Sequence, residues 1–514
     1  MKKHFEFLDK WVYFVSVGVI GIVLVLLQLI PTQVTTTIES AFSFLIGGLQ
    51  PIYILLSVVC FIFFIYLVFS KYADVKFGGK DDKPAYSEFS WAAMIFTSGA
   101  GSSTIILGFA EPLYYLVTTP FEIEPYSKTA YEYAHMYGQF HWGFSAWAFY
   151  VPAIVAIGYF VHVKKAGNIT IGSVVTTYVK HPKLKVLSEK IIDIFVVFGI
   201  VMSITTSLGL GVPVLAKLLS YTLGIENGVH LQYAVFAIWF IIFTWSVVRG
   251  LDKGIKILSD LNMGLIFLFL AVFVCISPIM DILSMEINSI GIYISELPRM
   301  IFYTDPFGDG ALVSDWTAFY WAWWISFISI MGIFIARVSA GRTIRQVVVG
   351  QLVWGSLGCC TFLGILGGYS LHVQSQGEID LVNLVQTEGN EAAILAIFNT
   401  LPMGDILIIL MCILCFVFLA TTIDSTAYVL SIVTSTCSYS EEPPTWIRAS
   451  WAIVIFLLAI TLTIVGGLAL IQKLAIVVAF PLVFVIVFLI VLCLKVLKAN
   501  YSHLTREEIK QLDN

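Results

Sequence analysis

Residues 319–327 read Phe-Tyr-Trp-Ala-Trp-Trp-Ile-Ser-Phe, which crowds Trp321, Trp323 and Trp324 onto little more than one helical turn. Ring faces carry the negative side of a quadrupole, so rings around a cavity attract a cation that lacks hydrogen-bond donors; a quaternary ammonium suits them best. A second stretch, Thr97-Ser98-Gly99-Ala100-Gly101-Ser102-Ser103-Thr104, is small and hydroxyl-rich. Glycine lets backbone unwind or approach closely, and unwound backbone deep in a membrane is tolerated only where it lines a cavity. His141-Trp142-Gly143, with Trp147 and Tyr150, adds further rings, and Tyr114-Tyr115 follows Glu111-Pro112. Plainer roles exist for each group: close helix packing for the small residues, an interfacial belt for the tryptophans, and a structural hydrogen bond for His141. The belt is disfavoured by depth, since the tryptophans come well before Arg337 and Arg342, and five to ten residues inward is about 7.5–15 Å at helical rise. The sequence shows neither a nucleophile paired with a base nor a ligand-spaced metal cluster, so an enzyme is not expected.

The elements that must hold these residues are membrane helices. The 514-residue chain is 59% hydrophobic and 12% charged, well above the apolar content of a soluble domain. Apolar runs lie near 11–30, 52–70, 90–118, 138–162, 189–220, 231–248, 258–280, 315–338, 347–370, 404–436, 447–469 and 474–497, each long enough to cross a bilayer. Weaker runs at 283–302 and 386–400 suit helices along the membrane surface. With the N-terminus inside, Lys128, Lys217, Arg299 and Lys473 alone among the 28 Lys and Arg fall outside the cytoplasmic segments. Twelve spans with both termini cytoplasmic follow. The net charge of -5 comes with no basic stripe, which excludes a nucleic-acid partner. The eight cysteines lie in or beside apolar runs, where a thiol acts as a small hydrophobe; Cys412 and Cys415 form a C-x-x-C inside one such run. The first apolar run lacks a small-residue cleavage site and reads as retained.

These segments together resemble the betaine/choline/carnitine transporter family from about residue 10 to about 497. The most specific matches are Phe319 to Ser326, Arg337-Val-Ser-Ala-Gly-Arg-Thr-Ile-Arg345, Phe140-His-Trp-Gly143, Phe302-Tyr-Thr-Asp-Pro306 and Glu442-Pro-Pro444. The resemblance implies an all-α membrane protein with a leucine-transporter-like core of two inverted five-helix repeats, assembled as a homotrimer in a bacterial-type inner membrane. On that reading 1–89 holds the N-terminus and two peripheral spans, and 90–280 the first repeat. A connecting amphipathic helix falls at 281–314, the second repeat at 315–497 and a short cytoplasmic tail at 498–514.

Carried over residue by residue, the family's substrate box falls on Tyr114, Trp142, Trp323, Trp324 and Phe327, with Trp147, Tyr150 and Trp321 nearby and the stretch Gly99 to Ser103 beneath. Phe327 keeps a ring face but lacks the polar tip usual there. Met331 matches the Met of carnitine exchangers. No cofactor is implied beyond a coupling ion. Sodium-coupled members use carbonyls of the unwound third span and two hydroxyls of the tenth, here Thr97, Ala100, Phe418, Thr421 and Thr422. Sodium-independent exchangers place an Arg where this chain has Asn262, which carries no charge. Thr205, Thr206 and Ser207 are candidates for a further ion site. Glu111, Asp260 and Asp424 lie in apolar surroundings and need partners or protonation. Arg337, Arg342 and Arg345 serve topology or gating. Ser103 stands where choline carriers have Asp and betaine carriers Gly, so a zwitterion such as glycine betaine or a carnitine-like solute is expected by sodium symport. The alternatives are sodium-independent exchange and proton-coupled choline uptake. The tails lack long charged extensions, which argues against osmotic activation.

Overall fold

The computed structural model describes residues 7–512 except 168, 251–255, 309, 438–441 and 466. Lys2, Lys3 and Lys253 of the cytoplasmic set, and the side chain of Arg249, lie outside the described residues. The helices in order are α1 (Lys10–Leu29), α2 (Pro31–Phe69), α3 (Glu88–Gly99), α4 (Ser102–Tyr115), α5 (Lys128–Trp142), α6 (Phe144–Trp147), α7 (Val151–Gly158) and α8 (Ile171–Val175). Then come α9 (Pro182–Leu223), α10 (Val229–Gly250), α11 (Lys256–Ile276), α12 (Ile279–Phe302), α13 (Ala318–Ser326), α14 (Ile328–Val338), α15 (Ile344–Phe362) and α16 (Gly368–Gln376). The chain closes with α17 (Leu381–Glu388), α18 (Asn390–Asn399), α19 (Gly404–Val433), α20 (Thr445–Val465), α21 (Gly467–Tyr501) and α22 (Arg506–Lys510). Among the described residues, strand-like pairing is limited to the isolated bridges Leu8–Ser435 and Lys76–Thr343.

Among the described residues each apolar run falls mainly on a helix or on successive helices, with 138–162 passing from α5 through α6 to α7. Among the described residues nine helices are long and apolar enough to cross a membrane, up to eleven if each of two bent pairs is one span; Val229–Thr244 is a shorter apolar helix. Large apolar side chains such as Trp11, Phe69, Ile241 and Phe267 face outward. In water such a surface would be an aggregation hazard, whereas lipid tails solvate it.

Three interruptions shape the interior. α3 and α4 meet at 62° because Ala100 and Gly101 leave the helical conformation. Gly99 is required there by contact rather than by torsion: a Cβ would come within 2.6 Å of Met331 Cε and 2.8 Å of Trp147. The pair Val313–Ser326 and Ile328–Val338 bends by 48° at Phe327, where the chain tightens into a bond from Phe327 N–H to the Trp324 carbonyl. α5 stops at Gly143, and a Cβ on it would press within 2.5 Å of the Gln139 carbonyl. A stopped helix leaves carbonyls of its last turn for other donors.

The 281–302 segment is one helix, α12, with Met280, Leu283, Ile287, Ile290 and Ile294 exposed along one side. Its other side docks on α5: Gln139 Nε2 donates to Glu286 at 2.6 Å, and His135 bonds Ser289 at 2.7 Å and the Gly364 carbonyl at 2.9 Å. The 386–400 segment differs from the single surface helix expected. Gly389, at φ 91°, divides it into α17 and α18, and α18 buries Ala393, Ile394, Ile397 and Phe398 against the bundle. A left-handed glycine permits that turn at no steric penalty.

Candidate functional site

Trp142 from the end of α5 meets Trp323 and Trp324 from α13, edge to face, with ring centroids 5.7 and 5.4 Å away and planes 85° and 82° apart. Trp323 in turn meets Phe327 at 6.2 Å. These four rings, with Gly99 and Ser103 from the broken pair α3–α4, enclose a cavity of about 10 Å³. The box is therefore tight, and the rings must spread to admit a trimethylated nitrogen. All four aromatic residues are buried.

Each indole is held by a different device. Trp324 Nε1 donates to the His141 carbonyl at 3.0 Å, a carbonyl that the stop at Gly143 leaves open. Trp142 Nε1 donates to Glu111 Oε2 at 2.8 Å, and Glu111 also accepts the Tyr115 hydroxyl. The Tyr115 oxygen lies 2.6 Å from His141 Nδ1, and His141 Nε2 lies 3.0 Å from the Thr317 hydroxyl. With the Tyr115 proton committed to Glu111, Nδ1 is the donor and Nε2 accepts from Thr317. The His141 ring also stacks on Tyr320 at 4.9 Å. The histidine is thus a structural link between α5 and α13, and Glu111 orients a ring of the box. Trp323 is different: its Nε1–H has no hydrogen-bond partner among the described residues. A donor on a cavity wall can meet a substrate carboxylate or hydroxyl, the role that Phe327 lacks.

The other expected box residues divide. Trp147 and Tyr150 lie behind Trp324, with centroids at 5.8 and 5.7 Å. Met331 packs against Gly99, with its sulfur 3.8 Å from the Ser98 hydroxyl, so it backs the cavity rather than lining it. Trp321 is wedged among Phe140, His141 and Phe149 and does not line the cavity. Tyr114 is not brought to the box. It lies thirteen residues beyond the break at Gly101, roughly 20 Å along α4. There its hydroxyl donates to Asn390 at 2.9 Å and its ring lies 5.0 Å from Trp316, in a second cavity of about 380 Å³. Phe319 and Tyr320 line that second cavity, and Phe319 stacks on Trp323 at 5.7 Å, so the two spaces share a wall of rings. Trp316 and Tyr320 were not singled out from the sequence, although both flank the tryptophan run.

The expected ion residues converge. Thr421 and Thr422 both donate to the Thr97 carbonyl, at 3.4 and 3.2 Å, and to the Phe418 carbonyl, at 2.6 and 3.2 Å. The second pair of bonds is the ordinary one of a threonine to its own preceding turn. The first pair ties α19 to the end of α3. Ala100 sits at the break itself, its N–H closing the last turn on Phe96. Asn262 reaches Thr421 at 3.4 Å, and all these residues are fully buried. Apart from the Asn262 amide nitrogen, the set offers carbonyl and hydroxyl oxygens, which suit a hard cation. By contrast Thr205, Thr206 and Ser207 each bond the carbonyl four residues back.

The three arginines part company. Arg342 is buried over the Trp91 ring at 3.9 Å, bonding Glu88 at 2.7 Å and the Tyr86 carbonyl at 3.2 Å. Its loop pairs with residues 75–77, and Gly341, at φ 80°, leaves no room for a side chain beside Lys83. Arg345 bonds the Val68 carbonyl at 2.6 Å and lies 3.7 Å from Asp74, while Arg337 faces the Tyr428 ring. Asp260 is held by Ser90 and Lys256.

The family model of the BCCT, betaine/carnitine/choline family transporters matches residues 11–502. The chain belongs to that family; it is a multi-pass membrane transporter of betaine-, choline- or carnitine-type solutes and not an enzyme.

Proposed function

We propose, with membership of that family as the premise, that this transporter carries a quaternary-ammonium zwitterion, glycine betaine or a carnitine-like solute, together with sodium. The observation that carries the reading is the pairing of two adjacent niches on one broken helix. Gly99 and Ser103 floor the ring box, while the Thr97 carbonyl, two residues before Gly99, receives Thr421 and Thr422. Sodium, when bound, would supply a positive charge at the Thr97, Phe418, Thr421 and Thr422 oxygens. Ordering of the α3 end by those oxygens lowers the cost of forming the box, and the coupling is reciprocal. The ring faces of Trp142, Trp323, Trp324 and Phe327 take the methylated nitrogen, and Trp323 N–H takes the acid group. The neutral Asn262 favours an ion over a fixed charge at this place.

Twelve spans in two inverted repeats accommodate the arrangement: the two bent pairs then open the two repeats, and the shorter apolar helix α10 counts as a span. We extend the proposal to a homotrimer in the inner membrane with both termini cytoplasmic. On this topology the second cavity is the outer vestibule, Phe319 and Tyr320 its inner wall, and the Arg342–Glu88 contact a lock on the cytoplasmic side.

The test is uptake of labelled glycine betaine, carnitine and choline into proteoliposomes, with an inward sodium gradient or with potassium replacing it. Concentrative uptake of a zwitterion should require sodium, and unlabelled glycine should compete poorly, because a primary ammonium wants hydrogen-bond acceptors that ring faces do not provide. Equal concentrative uptake in potassium overturns the sodium reading; equal competition by glycine and glycine betaine overturns the ring-box reading.

A further inference from the structure

Asn262 is fully buried on α11, between the last turn of α3 and the middle of α19. Its Nδ2 lies 3.4 Å from Thr421 Oγ1, a long contact, while Oδ1 has no hydrogen-bond partner among the described residues. Buried carbonyl oxygens without a donor are uncommon in proteins and call for an explanation. Around this atom the protons are already committed. The Thr421 and Thr422 hydroxyls donate to the carbonyls of Phe418 and Thr97, and the Thr97 hydroxyl contacts the Ala93 carbonyl at 2.8 Å and Ser259 at 3.0 Å. Apart from the second Nδ2–H of Asn262 itself, what remains there is oxygen lone pairs. The basic side chain nearest along α11, Lys256, is paired with Asp260 at 3.0 Å, so it does not supply the missing positive charge.

A carboxamide can turn about its Cβ–Cγ bond within nearly the same volume, presenting either Oδ1 or Nδ2 to the same neighbour. With Nδ2 toward Thr421 the amide takes one lone pair of that hydroxyl. With Oδ1 there, it adds a carbonyl oxygen to a set of two backbone carbonyls and two hydroxyls. We propose that Asn262 supplies Oδ1 as a direct ligand to the cation held where α3 meets α19, joining α11 to that site. The inference rests on the sodium reading above and adds to it a named ligand from a third helix. Its chemical consequence is that cation binding pins α11 as well as α3 and α19, so the amide contributes to sodium affinity and not merely to packing.

The test uses purified full-length protein in detergent with glycine betaine as the probe. Intrinsic tryptophan fluorescence is followed while sodium chloride replaces potassium chloride at constant ionic strength, and thermal unfolding is measured in each salt without substrate. Asn262→Ala should raise the half-saturating sodium concentration at least tenfold and abolish the stabilisation by sodium over potassium. Asn262→Asp, which keeps the oxygen and adds charge, should lower the half-saturating concentration. A wild type that needs sodium while Asn262→Ala shows the same half-saturation overturns this inference and leaves the sodium reading standing. A wild type indifferent to sodium in both measurements overturns both. Should Asn262→Ala not fold, Asn262→Asp decides alone, and an unchanged sodium requirement refutes the assignment.

Discussion

Replacing tryptophan by phenylalanine at positions 323 and 324 makes the same chemical change with two different expected results. At 324 the lost Nε1–H is bonded to the His141 carbonyl at 3.0 Å, so Trp324→Phe removes a buried hydrogen bond that fixes the ring. Such a bond contributes about 1 kcal/mol, or about fivefold in affinity for any ligand of the box. Trp324→Leu removes the ring face as well, and a desolvated cation–π contact of about 2 kcal/mol brings the total to about 3 kcal/mol, on the order of 100-fold. At 323 the N–H has no hydrogen-bond partner among the described residues, so Trp323→Phe breaks no bond seen there. It should leave tetramethylammonium, which has no acceptor group, within about twofold of wild type, and weaken glycine betaine by about fivefold through loss of a donor to the carboxylate. Isothermal titration calorimetry on the detergent-solubilised protein measures all of these without depending on the removed fluorophores. Wild-type affinity in Trp324→Leu would refute the ring box. Equal weakening of tetramethylammonium and glycine betaine by Trp323→Phe would refute the donor role of that indole.

Combined Thr421→Val and Thr422→Val should raise the sodium needed for half-maximal uptake, while Asn262→Arg should make binding less sensitive to sodium and yield exchange without accumulation; sodium-driven accumulation equal to wild type in both refutes the ion assignment. At the α12–α5 contact, burial pushes Glu286 up to about 7 from an ordinary value of 4.5, opposed in part by the hydrogen bond from Gln139. The folded protein therefore holds a proton that the unfolded chain releases, so this contribution is fully present below pH 4.5 and is lost as the pH rises through about 7. Melting temperature should accordingly fall from pH 5 to pH 8 in the wild type and fall less in Glu286→Gln; parallel slopes in the two proteins refute this.

Much of the bundle was legible because apolar runs of membrane-spanning length have one dominant solution. The break at Gly99–Gly101 was legible for a related reason: small residues in a span favour unwinding or close approach, and here both occur. The ring box was legible only in part. Ring type is local information, but the side of a helix that a ring occupies depends on bends and neighbours. Trp321 and Trp323 are two residues apart and face different surroundings, and Tyr114 is carried to the other cavity by the rise of α4. Glu111 reads in sequence as a costly buried carboxylate; in the fold it holds Trp142 and Tyr115. The 386–400 segment misled because one glycine in the left-handed region divides it, and neighbouring apolar residues cannot reveal that torsion.

The sequence by itself determined the solvent, the helical class, the family and the chemistry of the ligand, since these follow from composition, run length and residue type. The tertiary structure decided which rings enclose the cavity, that Trp142 and Trp324 but not Trp323 find a partner for the indole N–H among the described residues, and that Thr97, Asn262, Thr421 and Thr422 meet at one place. Those are contacts between helices far apart in the chain, set by the bends at Ala100–Gly101 and Phe327, by the stop of α5 at Gly143 and by close packing against them, and no local pattern encodes them.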